Sequence, residues 1–160
     1  MEYATERGIL VINTPGKNTN SAAELTMGLL LSAFRKIVPA HQSMQSLNWD
    51  RHRFNGGELM NKCLGIIGLG NVGHRVARYA KAFDMKVQAL DPYLADEVFE
   101  RHGVQKVDWI TLLKTSDVIT FHVPLNDETR GMISEMEIER MKPGVILLNT
   151  CLLYTSDAAD

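Results

Sequence analysis

Leu64-Gly-Ile-Ile-Gly-Leu-Gly-Asn-Val-Gly73 is the stretch that decides the fold. Its first four residues read as a strand, and Asn71 to Phe83 reads as the helix that follows. Between them Gly68, Gly70 and Gly73 stand at the spacing of a dinucleotide-binding fingerprint. Each glycine has its own physical task. Gly68 allows the tight turn, Gly70 lets the backbone approach a pyrophosphate, and Gly73 lets helix and strand pack closely. The helix start adds unpaired N–H groups and a partial positive charge. Glycine-rich turns are common, so the spacing alone also fits a βα turn with no ligand. The next strand narrows the choice. Met85–Leu90 ends at Asp91, eighteen residues beyond Gly73. A carboxylate there accepts from both hydroxyls of an adenosine ribose and repels a 2′-phosphate. Pro92 follows and no Arg adjoins, which favours NAD over NADP.

Outward from this stretch, strands alternate with helices. Leu94–His102 reads as a helix, Val104–Val107 as a strand and Trp109–Lys114 as a short helix. Asp117–Val123 is a β-branched strand. Ser134-Glu-Met-Glu137 is a capping box opening a helix to about Met141, and Val145–Asn149 is a further apolar strand. Such alternation predicts an α/β fold: a Rossmann-like parallel sheet with helices on both faces. On the N-terminal side, residues 8–13 read as a short strand ended by Thr14-Pro15-Gly16. Ser21-Ala-Ala-Glu24 reads as a capping box for a helix over 22–38, apolar around most of its circumference. That predicts burial inside the protomer or against a partner. Pro39 discourages continuation. Residues 48–57 read as a loop pinned by Trp49 and Phe54.

Composition limits the alternatives. The 160 residues fit one domain, and 45% hydrophobic with 22% charged residues is globular usage. Lys plus Arg is 17 against 19 acids, net −2, so there is no bulk basic field for nucleic acid or an anionic membrane. No apolar run approaches the roughly 20 residues that span a bilayer, and residues 1–7 do not read as a secretory signal. Cys63 and Cys151 make neither a disulfide framework nor, with the histidines, a zinc site. A cytoplasmic setting follows as the default. Cys63, inside an apolar strand, reads as inert. His74, Arg75, Arg78 and Lys81 read as a solvated helix face, and Arg130 as a surface charge. The eight methionines read as packing. His122 ends a strand, where ligands of open α/β sheets bind. A general base is one use for it there, but no partner is identifiable, and it reads as a hydrogen-bonded loop residue.

Together these segments resemble the D-isomer-specific 2-hydroxyacid dehydrogenase family, from about Glu2 to Thr150. The specific stretches are Asn13–Asn18, Ala23–Thr26, Trp49 with Gly57–Leu59, and Leu64–Gly73. Ser116–Leu125, Glu128–Gly131, Met141–Gly144 and Asn149-Thr150 continue them. The resemblance implies NAD contacts at Gly68, Gly70, Asn71, Val72, Gly73 and Asp91. His122, Val123, Pro124 and Thr129 match a loop lining the cofactor, and Thr150 begins the segment near the nicotinamide. Asn18 matches a loop position that approaches the substrate in phosphoglycerate-using members. The implied chemistry is hydride transfer between C2 of a 2-hydroxy acid and the nicotinamide. An Arg binds the carboxylate, and a His oriented by a Glu moves the proton. Homodimers are usual in the family, and the apolar helix at 22–38 fits a dimer interface.

The chain also departs from that pattern. Leu152 stands where the Arg belongs, and no downstream Glu or His is present, so no catalytic residue is assigned. Residues 1–16 read as a remnant of a substrate-binding domain. Residues 17–150 read as an incomplete NAD-binding domain, truncated at its C-terminus. Residues 151–160 do not match and look like translated adapter sequence. The expectation is a fragment that binds NAD weakly and turns nothing over. An NAD-sensing module without catalysis is the alternative. A methyltransferase using the glycine loop for S-adenosylmethionine explains Asp91 but leaves Asn13–Asn18 and Glu128–Gly131 unexplained.

Overall fold

The computed structural model describes residues 6–7 and 16–150. The strand expected at 8–13 and the tail 151–160 lie outside them. Helix α1 runs Thr19–Phe34 and α2 Ile37–Gln45. They are followed by β1 (Cys63–Ile67), α3 (Gly73–Ala82), β2 (Lys86–Leu90), α4 (Asp96–His102) and β3 (Gln105–Lys106). Helix α5 (Trp109–Thr115), β4 (Val118–Phe121), α6 (Glu135–Arg140) and β5 (Ile146–Asn149) complete the order. The five strands form one sheet in the order β3-β2-β1-β4-β5, parallel at every pairing. Order reverses between β1 and β4, which is where such sheets open a ligand crevice at their carboxyl ends.

Side-chain alternation along the strands divides the core. Leu64 and Ile66 of β1, Val118 of β4 and Leu148 of β5 face Ala23, Met27 and Leu30 of α1 and Val76, Ala77 and Ala80 of α3. Ile67 and Ile119 point to the opposite face, against Leu112 and Leu113 of α5 and Met141 after α6. Both faces are therefore covered, which is why the strands are apolar on both sides. Polar groups inside are paired. Gln88, 5% exposed, donates to Thr115 Oγ1 at 2.7 Å and Ser116 Oγ at 3.0 Å. Asp117 fixes the amino ends of two strands: its Oδ2 accepts the Cys63 N–H at 2.7 Å and its Oδ1 the Lys142 ammonium at 3.0 Å. Burial pushes its pKa upward, but the N–H and the ammonium outweigh that and hold it below the ordinary value.

Three expectations are corrected. Helix α1 starts at Thr19, so Ser21 lies within it and caps nothing; Thr19 Oγ1 instead donates to Gly16 O at 2.8 Å. The apolar stretch over 22–38 is two helices, because Lys36 turns left-handed at φ 52°. Pro39 lies in the first turn of α2, where its missing N–H breaks no helical bond. Trp49 is 79% exposed and pins nothing. The loop is held by the Gly57 N–H donating to Phe34 O at 2.9 Å. The capping box at Ser134 forms as expected, with the Ser134 N–H donating to Glu137 at 3.0 Å.

Candidate dinucleotide-binding site

The crevice is built by the turn between β1 and α3. Gly68 has φ +89°, and a Cβ there would lie 2.7 Å from His122 O. So the residues just after β4 press directly on the first glycine. At Gly73 a Cβ would lie 2.1 Å from Gly68 O. Around Gly70 a Cβ would meet nothing within 4 Å. Two glycines are thus demanded by the protein's own packing, whereas Gly70 leaves a bare backbone facing open space. No side chain caps α3. The N–H groups of Asn71 and Val72 make no hydrogen bond among the described residues. Unpaired amides at a helix start, beside a backbone with no side chain, fit a diphosphate.

Asp91 follows β2 and is held at both oxygens. Oδ2 accepts the Leu69 N–H at 2.9 Å, and Oδ1 accepts the Tyr93 N–H at 3.1 Å. The first bond ties the carboxylate to the glycine turn. Each oxygen keeps a second lone pair, so the group still fits two ribose hydroxyls. Tyr93 also donates its hydroxyl to the Glu128 carboxylate, joining the Asp91 turn to the loop after β4. That bond, the Glu128 charge, slight burial and the Asp91 charge all raise the pKa of the exposed phenol.

The segment after β4 supplies the far wall. His122 is largely buried and shares a 3.1 Å hydrogen bond with Thr120 Oγ1. Burial pushes its imidazole down to about 4, so it is neutral at pH 7. Thr129 does not point its hydroxyl at the crevice as a free donor. It donates to Pro124 O at 2.6 Å and accepts the Asn126 N–H at 2.9 Å, stapling its own loop. Val123, Pro124 and Thr129 line a cleft of about 230 Å³, with Phe121, Met132 and Leu147 among its other walls. None of Gly68–Gly73 nor Asp91 lines it, so this cleft adjoins the diphosphate turn without containing it. Thr150 lies just beyond β5, its Oγ1 2.9 Å from that of Thr26 on α1. Asn18 precedes α1 and is exposed.

The basic residues of α3 are more than a solvated face. Arg75 donates to Asn71 O at 2.7 Å and to Asn20 Oδ1 at 2.8 Å, bracing the diphosphate turn against α1. His74 stacks on His102 with centroids 4.8 Å apart. Lys81 donates to His102 O. Cys63 is half-buried, and burial pushes its thiol up, consistent with an inert residue. Asn126, Tyr93, Arg75 and Thr26 carry contacts that no sequence motif announced. Among the described residues there is no cluster of metal-ligating side chains and no helix long and apolar enough to cross a membrane.

Parallel order, a switch point above Gly68–Gly73 and an acid closing β2 define a Rossmann-type NAD-binding domain. The family model for the D-isomer specific 2-hydroxyacid dehydrogenase NAD binding domain matches residues 27–152. The chain belongs to that family. It is 50% identical over 146 residues to D-3-phosphoglycerate dehydrogenase of Archaeoglobus fulgidus, covering 91% of this chain and 28% of that protein. Hydroxypyruvate reductase of Thermotoga maritima is 45% identical over 157 residues, 98% of this chain and 50% of the relative. Among solved structures, D-lactate dehydrogenase from Aquifex aeolicus complexed with NAD and lactic acid superposes with a TM-score of 0.81 at 36% identity. That match covers 92% of this chain and 44% of the other. Across these matches the chain spans between 28% and 50% of the relatives' length.

Proposed function

We propose that the whole protein is an NAD-dependent oxidoreductase acting on the CH–OH group of D-2-hydroxy acids, phosphoglycerate dehydrogenase-like, and that residues 17–150 are its NAD-binding domain. The observation that carries this is the combination at one crevice of the bare Gly70 backbone, the uncapped start of α3 and the doubly held Asp91. Gly68, Gly70, Asn71, Val72 and Gly73 hold the diphosphate, and Asp91 the adenosine ribose. His122, Val123, Pro124 and Thr129 shape the wall, Thr150 meets the nicotinamide half, and Asn18 lies on the substrate side. Held by Gly68–Gly73 and Asp91, NAD would supply the hydride acceptor for C2 of the hydroxy acid. The chain's residues orient it and exclude water.

Turnover needs a cation for the substrate carboxylate and a proton acceptor at C2 oxygen. Leu152 supplies neither. The 160-residue chain alone is therefore expected to bind NAD without turnover. A cytoplasmic, homodimeric protein with no nucleic-acid partner completes the reading. The test is to express the sequence within its native reading frame and assay NAD reduction with D-3-phosphoglycerate, D-glycerate and D-lactate. Reduction with one of them is expected. NAD binding with no turnover of any 2-hydroxy acid would favour the NAD-sensing module instead.

A further inference from the structure

Thr26 and Thr150 are 124 residues apart in sequence, yet their hydroxyl oxygens lie 2.9 Å apart. Thr26 is fully buried on α1, and its Oγ1 also lies 2.8 Å from Ala22 O. Two close oxygen–oxygen contacts each need a proton between them. A threonine has one hydroxyl proton, and a carbonyl has none. Thr26 can therefore fill only one contact. The assignment that leaves neither contact repulsive runs in one direction. Thr150 donates to Thr26, and Thr26 donates to Ala22 O. Chained hydroxyls of this kind also reinforce one another. The consequence is at Thr150: its proton is committed inward, and with only its two lone pairs left to offer it is an acceptor only.

Thr150 follows the carboxyl end of β5. The diphosphate turn tops β1, and Asp91 tops β2 on one side of it. β4 and β5 lie on the other side, so β5 is two strand spacings from β1, roughly 10 Å. With the adenosine half over β2, the second half of a dinucleotide would lie on the β4 and β5 side, where Thr150 follows β5. Resting on the NAD-site reading above, we infer that Thr26 is a positioning residue that holds the Thr150 hydroxyl as a fixed acceptor, selecting a nicotinamide carboxamide through its N–H. A ring whose side group offers only a carbonyl gains nothing from such a partner. One neutral hydrogen bond corresponds to about fivefold to tenfold in affinity.

The test compares dissociation constants of the 160-residue chain for NAD, its 3-acetylpyridine analogue and ADP-ribose, which lacks the ring. The wild-type chain is expected to prefer NAD over the acetyl analogue about fivefold or more. Thr26→Ser keeps the proton and retains that preference. Thr26→Val keeps the shape and frees the Thr150 proton, so the preference falls toward one while ADP-ribose affinity holds. Should Thr26→Val fail to fold, Thr150→Val decides, since it removes the acceptor itself and is also expected to bring the ratio to one. ADP-ribose binding with no wild-type preference overturns the inference alone. So does a preference that survives in a folded Thr26→Val or Thr150→Val chain. Failure of the wild-type chain to bind ADP-ribose overturns the NAD-site reading and takes this inference with it.

Discussion

Gly70 and Gly73 stand three residues apart and answer the same added methyl group in opposite ways. A Cβ at Gly73 collides with Gly68 O at 2.1 Å, so Gly73→Ala is expected to destabilise the fold by about 3 kcal/mol. At Gly70 the space is open, so Gly70→Ala should leave the melting temperature unchanged and weaken NAD about tenfold by intruding where the diphosphate lies. Thermal unfolding and NAD titration of both variants separate the two effects. His122 makes a pH prediction. Its ordinary value of 6.5 falls to about 4 in the folded protein. The unfolded chain therefore binds the proton first as pH drops. Stability is intact above pH 6.5 and is lost progressively down to about 4, by roughly 3 kcal/mol in all. Urea unfolding at pH 7, 5.5 and 4 should show that loss, and His122→Asn should remove most of it. An equal loss in the variant would contradict the account. The glycine roles and Asp91 were legible because they depend on local spacing. The inward use of Thr129 was not, because its partners Pro124 O and Asn126 lie within an irregular loop.

Between α1 and α2 the chain turns on a single left-handed residue. Lys36, at φ 52°, adopts a conformation that costs a non-glycine residue about 1–2 kcal/mol. Lys36→Gly should relieve part of that and stabilise the chain by about 0.5–1 kcal/mol, net of the glycine's own entropy. A denaturant midpoint that moves down would show that the lysine's contacts outweigh its backbone strain. Sequence placed the end of this helical stretch at Pro39, the residue that usually stops a helix. The break falls earlier, at left-handed Lys36, beside Phe34 whose carbonyl accepts the Gly57 N–H, and Pro39 sits within the first turn of α2. Similarly, Ser21 and Glu24 have capping-box spacing, but Thr19 begins the helix first by bonding Gly16. Elements with strong apolar periods, β1, α3 and β4, came out within a few residues.

Across the molecule, one face of the α1–α2 pair remains apolar and uncovered. Leu25 is 55% exposed, Leu29 42%, Ile37 50% and Val38 56%, whereas Ala23 and Leu30 on the sheet side are fully buried. Sequence showed an apolar helix but not which side the sheet would take. If the proposed homodimer forms, this uncovered side is the face expected to pair. Light scattering should give a dimer for the wild-type chain and a monomer for Leu29→Glu; a wild-type monomer at all concentrations would refute it. The link between Thr26 and Thr150 was likewise hidden from sequence, since only the assembled sheet brings α1 to the end of β5. Asp91 and the glycine turn are proposed to make an NAD site that rejects a 2′-phosphate. The direct measurement is a pair of titrations, NAD and NADP, on the wild-type chain and on Asp91→Ala. The wild-type chain is expected to bind NAD at least about tenfold more tightly than NADP, and Asp91→Ala to weaken NAD and erase most of the gap. Equal affinity for the two dinucleotides in the wild-type chain, or an unaltered gap in the variant, would contradict it.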